Sequence, residues 1–132
     1  MAVHVKLDHL ALTRLLRSPT GAVGRDALKR GRRVRDRARL LVGKQTGRLA
    51  ASIEVNFSVG LRGLVVHVGS SLKYARYHHD GTGVYGPHGR PIRPRRGKVM
   101  VFDGRLGGRV YARSVTGQRG TKYLERSLRA AV

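Results

Sequence analysis

Three consecutive residues, His78, His79 and Asp80, carry the side chains with the clearest potential for chemistry. An imidazole beside a carboxylate can act as a general base, and two imidazoles can bind zinc. Two histidines share a helical face at i, i+4 spacing, however, and this adjacent pair lacks it. His88, in the following loop, could supply a third nitrogen ligand to such a metal. Because the chain has no cysteine, thiolate ligands are excluded, and we expect neither a metal nor a cofactor.

Nothing else in the sequence predicts an active site. The seven carboxylates include no closely spaced pair for acid–base catalysis. Four of them fall in predicted helices, where a solvated or ion-paired role is the simple interpretation: Asp8, Asp26, Asp36 and Glu125. The segment 81–86 is glycine-rich like a phosphate-binding loop, but it does not lie between a strand and a helix with an acidic residue downstream. We therefore expect a protein that is not an enzyme.

The charge is strongly unbalanced. Lys and Arg number 28 against seven Asp and Glu, which gives a formal net charge of +21 on 132 residues. Such a surplus destabilises a compact chain by self-repulsion unless anions compensate it. Nucleic acid or an acidic protein surface could supply those anions. A membrane is not expected, because the chain has no long apolar run and no lipidation motif.

The N-terminal part predicts two helices within 6–42. Over 6–17, Leu7, Leu10, Ala11 and Leu15, with Leu12 and Leu16 beside them, form an apolar stripe. Ser18 should cap a long second helix over 19–42 with Pro19 in its first turn, and Gly43 should end it. Small and aliphatic residues form one face of that helix. Its other faces carry the basic residues that we expect to face DNA or a partner: Arg25, Lys29, Arg32, Arg33, Arg35, Arg37 and Arg39.

Two hairpins are predicted within 53–115. Thr46 should cap a short helix over 47–51, strands over 53–59 and 64–68 should pair, and 71–79 is either a short helix or an irregular bridge. Strands are expected again over 98–102 and 109–115. A final helix over 121–131 should begin at Thr121 and share a face between Tyr123, Leu124, Leu128 and Ala131.

Residues 80–97 form a long Gly/Pro-rich loop with no apolar periodicity. Its part 83–97 has so little to bury that we expect it to be poorly ordered until assembly. Further candidates to face a partner are the four arginines of this segment and the lysine that follows it: Arg90, Arg93, Arg95, Arg96 and Lys98.

Short connections between neighbouring strands favour antiparallel pairing. The predicted fold is therefore α+β: an antiparallel sheet of two hairpins packed against a long N-terminal helix and a C-terminal helix, in a single domain over 1–132.

Three stretches together resemble a known family. Thr46–Ile53 is similar to a T-G-x-L-x-x-S-I turn after a long helix, and Tyr74–Thr82 to a Y-A-x-x-x-x-x-G-T segment after the first hairpin. Gly120–Ala131 is similar to a C-terminal helix of pattern G-x-x-(F/Y)-L-x-x-A-L-x-A-A. In this order they resemble the head–tail joining proteins of long-tailed bacteriophages, also called tail-completion or neck proteins, over about residues 20–132. The segment 83–97 departs from that family in being longer and more basic.

The resemblance implies a virion structural protein without catalytic activity. It implies a ring of six or twelve copies at the head–tail junction, assembled in the host cytoplasm, between adjacent neck proteins and the tail tube or terminator, with genomic DNA nearby. The motif positions are Thr46, Gly47, Leu49, Ser52, Tyr74, Tyr77, Gly81, Thr82, Tyr123 and Leu124. Two other hypotheses stay open: a basic nucleic-acid-binding protein of a ribosomal or nucleoid-associated kind, and a small enzyme using the histidine cluster.

Overall fold

A computed structural model describes residues 4–43 and 47–131 of the chain. These fall into two compact units, Met1–Ser71 with Leu124–Val132, and Leu72–Tyr123. The fold is α+β, with antiparallel strands, a long helical segment near the N-terminus and a helix near the C-terminus, as the sequence predicts. The single domain over 1–132 stays a prediction.

The first unit begins with two helices. Helix α1 is His9–Arg17, and the carboxylate of Asp8 caps it by accepting hydrogen bonds from the N–H groups of Leu10 and Ala11 at 2.9 and 3.0 Å. Helix α2 is Ala22–Leu41 and follows Gly21, which offers no side-chain cap.

The predicted capping role of Ser18 is wrong, because Ser18 ends α1 and its N–H donates to the carbonyl of Arg14 at 3.0 Å. The reason is local: a residue before proline avoids helical angles, so α1 ends at Ser18, and α2 begins only at Ala22 after Gly21, too far along the chain for Ser18 to cap it. At the other end, Val42 rather than Gly43 takes the C-cap position of α2.

A four-residue helix and the first hairpin follow. Helix α3 is Arg48–Ala51, and the predicted cap Thr46 lies outside the described residues. Strands β1 (Ile53–Gly60) and β2 (Gly63–Ser70) are antiparallel, with Ile53 opposite Ser70 and Gly60 opposite Gly63. The predicted alternation is therefore correct, and one face of the hairpin is apolar.

Helix α2 lies against that apolar face. Its buried residues are Gly24, Gly31, Val34 and Ala38, all small or β-branched. The small face lets the helix come close to the strands: a Cβ added at Gly31 would lie 2.6 Å from a methyl of Val66. The guanidinium of Arg39 donates to the carbonyl of Ile53 at 2.8 Å and joins the helix to the start of β1.

The second unit holds helix α4 (Lys73–Asp80), a 3-10 turn at Gly83–Tyr85, and strands β3 (Met100–Asp103) and β4 (Arg109–Ala112). The two later strands form an antiparallel sheet of their own and are shorter than predicted. The uncertain segment 71–79 proves to be helical.

The long loop is better anchored than its composition suggests. The N–H groups of Thr82 and Val84 donate to the carbonyls of Gln118 and Thr116, both at 2.8 Å. Further along, Ile92 and Val115 exchange two backbone hydrogen bonds. Because these bonds use backbone groups far apart in sequence, they leave no periodic signal. Residues 80–97 are thus mostly loop, as the sequence predicts, but with a 3-10 turn and backbone pairing that the sequence does not reveal.

Helix α5 is Tyr123–Arg129. The predicted apolar face is wrong in one respect: Tyr123 and Ser127 are the buried pair, whereas Leu128 is exposed. Ser127 tolerates burial because its hydroxyl donates to the carbonyl of Leu124 within the helix. Thr121 was expected to cap this helix, but α5 begins at Tyr123. The hydroxyl of Thr121 donates instead to the carbonyl of His78 at 3.1 Å.

Many large apolar side chains remain uncovered. Among the described residues, seven hydrophobic side chains are buried, whereas Val, Leu, Ile, Phe and Tyr side chains are exposed along much of the chain. Helix α1 is the clearest example, since none of its residues is buried although its leucines form the predicted stripe. In the part of the chain that the structure describes, no helix is long and apolar enough to cross a membrane.

The close approach of α2 to the hairpin predicts the effect of substituting Gly31. A Cβ there would lie 2.6 Å from Val66 and 3.1 Å from Val55, so Gly31→Ala should lower the free energy of unfolding by about 1 kcal/mol, the overpacking cost outweighing the gain in helix propensity. Urea denaturation measures this. Gly43→Ala is the control, since nothing lies within 4 Å of a Cβ there. If Gly31→Ala stabilised the protein, the packing described here would be wrong.

Candidate interaction site

The histidine cluster is held by separate partners. Nδ1 of His79 lies 2.8 Å from Oδ1 of Asp80, and since a carboxylate only accepts, that nitrogen donates. Nδ1 of His78 lies instead 3.2 Å from the hydroxyl of Thr121. Both imidazole rings meet the ring of Tyr123 edge-on, at centroid distances of 6.0 Å for His78 and 5.2 Å for His79. The two rings thus pack around a buried tyrosine.

Asp80 is the ionic centre of this cluster. It accepts from Nζ of Lys122 at 3.3 Å and lies 3.7 Å from Nε of Arg76. The hydrogen bond from His79, followed by that from Lys122, lowers the pKa of Asp80 below its ordinary value of 3.8. Burial, with the charge of Asp80 adding to it, raises the pKa of Tyr123 above 10.0. The lowered pKa favours the charged carboxylate of Asp80, and the raised pKa favours the neutral phenol of Tyr123.

Lys122 reaches Asp80 from a strained backbone. Its φ of 50° is in the left-handed region, which residues with a side chain seldom adopt. In that conformation its N–H donates to the carbonyl of His79 at 3.1 Å. Sequence reasoning missed Lys122 and Arg76, although Arg76 precedes Asp80 by one helical turn, a spacing that does predict an ion pair.

The cluster brings together no further chemistry. Among residues 4–43 and 47–131, no group of three histidines or carboxylates is arranged to hold a metal ion. Nε2 of His79 is buried and has no hydrogen-bond partner among the described residues. The ring that packs against this imidazole is that of Tyr123. The expectations of no metal and no enzyme activity stay predictions.

The motif residues of the first unit stabilise the turn before β1. Gly47 has a φ of 70° and directly precedes α3, and Leu49 is buried. The hydroxyl of Ser52 donates to the carbonyl of Leu49 and lies 2.7 Å from the hydroxyl of Ser70. Leu124 is half-buried. These positions thus have structural roles in local packing.

The motif residues of the second unit shape the start of the long loop. Gly81 is buried with a φ of 90°, and a Cβ there would lie 2.7 Å from the backbone nitrogen of Gly120. The hydroxyl of Thr82 accepts from the N–H of Gln118 at 3.0 Å. Tyr74 and Tyr77 are exposed, so they are free to contact another molecule.

The basic residues of α2 divide into a ridge and a set with internal partners. Arg35 pairs with Asp36 at 2.7 Å, and Arg39 bonds to the backbone. Arg30, which pairs with Asp26, is likewise engaged. Four further cations of α2 are exposed, follow one another at i, i+4 spacing and have no ion pair among the described residues. We call them the α2 ridge: Arg25, Lys29, Arg33 and Arg37. Arg32 is exposed beside the ridge.

The cations of the long loop surround a pocket of about 530 Å³ in the second unit. Arg90, Arg93 and Arg95 line it together with Arg76. Arg96 and Lys98 are exposed and are not part of its lining. The sequence therefore identified three of the four pocket arginines but gave no indication that they converge. Beside the pocket, the guanidinium of Arg119 stacks on the ring of Tyr85 at 5.1 Å.

No family model, curated protein or solved structure matches the chain.

The ionic centre at Asp80 predicts a stability loss in acid. A carboxylate whose pKa is lower in the folded than in the unfolded state stabilises the fold above about pH 4, and that contribution disappears as the pH falls through the folded pKa. Asp80→Asn should therefore be less stable than wild type at neutral pH, and the difference should shrink in acid. Urea denaturation between pH 7 and pH 2.5 measures it.

The control for this measurement is Asp26→Asn, which breaks an exposed pair with Arg30 and should change stability little at any pH. A stability difference between wild type and Asp80→Asn that is the same at every pH would show that Asp80 acts by packing alone.

Proposed function

We propose that this chain is a ring-forming structural subunit of the neck of a tailed phage, joining the DNA-filled head to the tail. The observation that carries the proposal is the apolar surface that the chain leaves uncovered. Exposed apolar residues that cluster on one element mark contacts with other proteins. The ordered set of three motifs, which resembles the head–tail joining proteins, supports the same function independently.

Helix α1 supplies much of that surface. Leu12, Leu15 and Leu16 lie on neighbouring positions of one side of the helix and are 41 to 46% exposed. An amphipathic helix gains its stability mainly by burying its apolar face. In the proposed ring, a second copy of the chain covers this face, and rotation of the same contact closes the ring.

The α2 ridge fits the proximity of DNA in a neck. Its four cations extend over Arg25–Arg37, roughly 18 Å of helix at 1.5 Å per residue. Phosphate contacts of this kind do not depend on sequence and weaken strongly with salt. A connector must hold the genome without reading it, and the ridge meets that need.

The second candidate function is a basic nucleic-acid-binding protein outside a virion. The ridge and the charge of +21 favour it. It requires no ring, however, and leaves the exposed leucines of α1 without a purpose. The two candidates therefore differ in their dependence on α1.

Self-association through α1 is the first expected outcome. Purified protein should form closed rings of six or twelve copies, visible by negative-stain electron microscopy and measurable by light scattering. The double variant Leu12→Gln, Leu16→Gln should stay folded by circular dichroism but lose rings. Leu106→Gln is the control, because this side chain is fully exposed at the turn between β3 and β4. Wild-type protein that remains monomeric, or rings that survive the α1 changes, would contradict the proposal.

Salt-dependent DNA binding through the ridge is the second expected outcome. Changing the four ridge cations to Gln should make the slope of log K against log salt for duplex DNA less negative by about 3.6, since each of the four lost phosphate contacts contributes about 0.9. The matched control removes four exposed cations elsewhere: Arg62, Arg105, Arg113 and Arg126. Equal reductions in both variants would mean that only net charge matters and that the ridge has no special role.

A further inference from the structure

Three glycines line one side of the pocket of the second unit. They are Gly81, Gly83 and Gly86, and two of them have a positive φ, 90° at Gly81 and 65° at Gly83. A Cβ at Gly81 would lie 2.9 Å from the carbonyl oxygen of Tyr85, and one at Gly86 would lie 3.0 Å from that of Gly81. The glycines therefore allow backbone to pack closely against backbone on this side of the pocket.

The charge of the pocket is strongly positive. Four arginines line it, Arg76, Arg90, Arg93 and Arg95, against one carboxylate, Asp80. That carboxylate already accepts from His79 and Lys122 and has Arg76 as an ion-pair partner. Within the described residues the three loop arginines have no carboxylate partner. Their guanidinium groups are thus available to bind an anion, and the guanidinium fork fits a carboxylate in a bidentate manner.

The remaining walls of the pocket are largely apolar. Pro87, Pro91 and Ile92 contribute aliphatic surface, and Tyr77 an exposed ring. Ile92 is fixed in place, because its backbone exchanges two hydrogen bonds with Val115. A ligand that fills such a pocket must combine negative charge with an apolar group.

We propose that this pocket binds an acidic segment of a partner protein, in which Asp or Glu residues flank an aliphatic side chain. The arginines take the carboxylates, and the proline and isoleucine wall takes the aliphatic group. The inference deepens the proposed function, on which it rests for the identity of the partner as a neighbouring neck protein. The chain itself is a poor source of such a segment, since it has seven carboxylates in total.

Nucleic acid fits the pocket less well. A duplex presents its phosphates on the outside of a wide cylinder, which meets a ridge such as that of α2 but does not enter a pocket of about 530 Å³. Single-stranded bases bind by stacking on several aromatic rings, and Tyr77 is the one aromatic ring other than His88 in the lining. Aliphatic walls add nothing to a phosphate contact, whereas they stabilise a leucine.

Fluorescence anisotropy on the full chain tests the inference. The probe is a labelled, capped peptide of sequence EELEEL, compared with QQLQQL, with EESEES and with a five-nucleotide oligothymidylate of the same charge. EELEEL should bind best. The triple variant Arg90→Gln, Arg93→Gln, Arg95→Gln should bind it about tenfold more weakly. The control triple variant, which removes the same charge elsewhere, should keep wild-type affinity: Arg62→Gln, Arg105→Gln and Arg113→Gln.

The inference would be overturned by equal losses in both triple variants, by equal affinity for QQLQQL and EELEEL, or by tighter pocket-dependent binding of the oligothymidylate. The last would assign the pocket to nucleic acid. Equal binding of EESEES would overturn the role of the aliphatic wall. Rings that form without any binding of EELEEL would refute the pocket inference and leave the proposed function intact. Binding of EELEEL by a chain that never forms rings would refute the proposed function instead.

Discussion

Repulsion among uncompensated positive charges is the constraint on which the other features of this protein depend. The formal charge is +21, and the chain has seven carboxylates with which to offset it. Four of these are already engaged within the fold: Asp8 caps α1, Asp26 and Asp36 pair along α2, and Asp80 anchors the histidine cluster. The anions that stabilise the remaining cations must therefore come from other molecules.

The two basic surfaces differ in shape, and shape decides which anion each can meet. The α2 ridge is convex and regular, with a cation at each turn of the exposed side, so it suits a polymer of evenly spaced phosphates. The pocket is concave and half apolar, so it suits side chains. A subunit placed between packaged DNA and a stack of proteins needs both kinds of contact, which the proposed neck function provides.

The small core has the same implication. The buried side chains of the first unit are small or aliphatic, among them Val34, Ala38, Val42 and Ile53, while the leucines of α1 stay exposed. A chain that leaves these apolar side chains exposed can gain hydrophobic stabilisation from association. Charge and core thus both favour a protein completed by its neighbours.

The sequence predicted those features that depend on local pattern. Alternation gave β1 and β2, the glycines gave the second hairpin, and helical spacing gave α2 with its small face. The failures have two origins. One is local: α2 begins at Ala22 after Gly21 rather than at Pro19, so Ser18 ends α1 instead of capping α2. The other is contact between distant residues. The bridges at Ile92 and Val115 left no periodic trace.

The sequence likewise does not predict which distant side chains lie close together in the fold. Arg76 lies in α4 and the other three arginines lie in the following loop, yet all four line one pocket. Arg39 was expected to face a partner, yet it turns inward to the carbonyl of Ile53. Composition shows that many cations exist but not which of them are engaged inside the fold.

Direct imaging of the assembled particle tests the central claim most directly. Cryo-electron microscopy of virions produced by the genome that encodes this chain would locate it. A neck subunit should form a ring at the head–tail junction, with the α1 leucines covered by an adjacent copy and the α2 ridge facing the DNA channel. Particles that are complete without this chain, or a chain recovered bound to nucleic acid outside any particle, would contradict it.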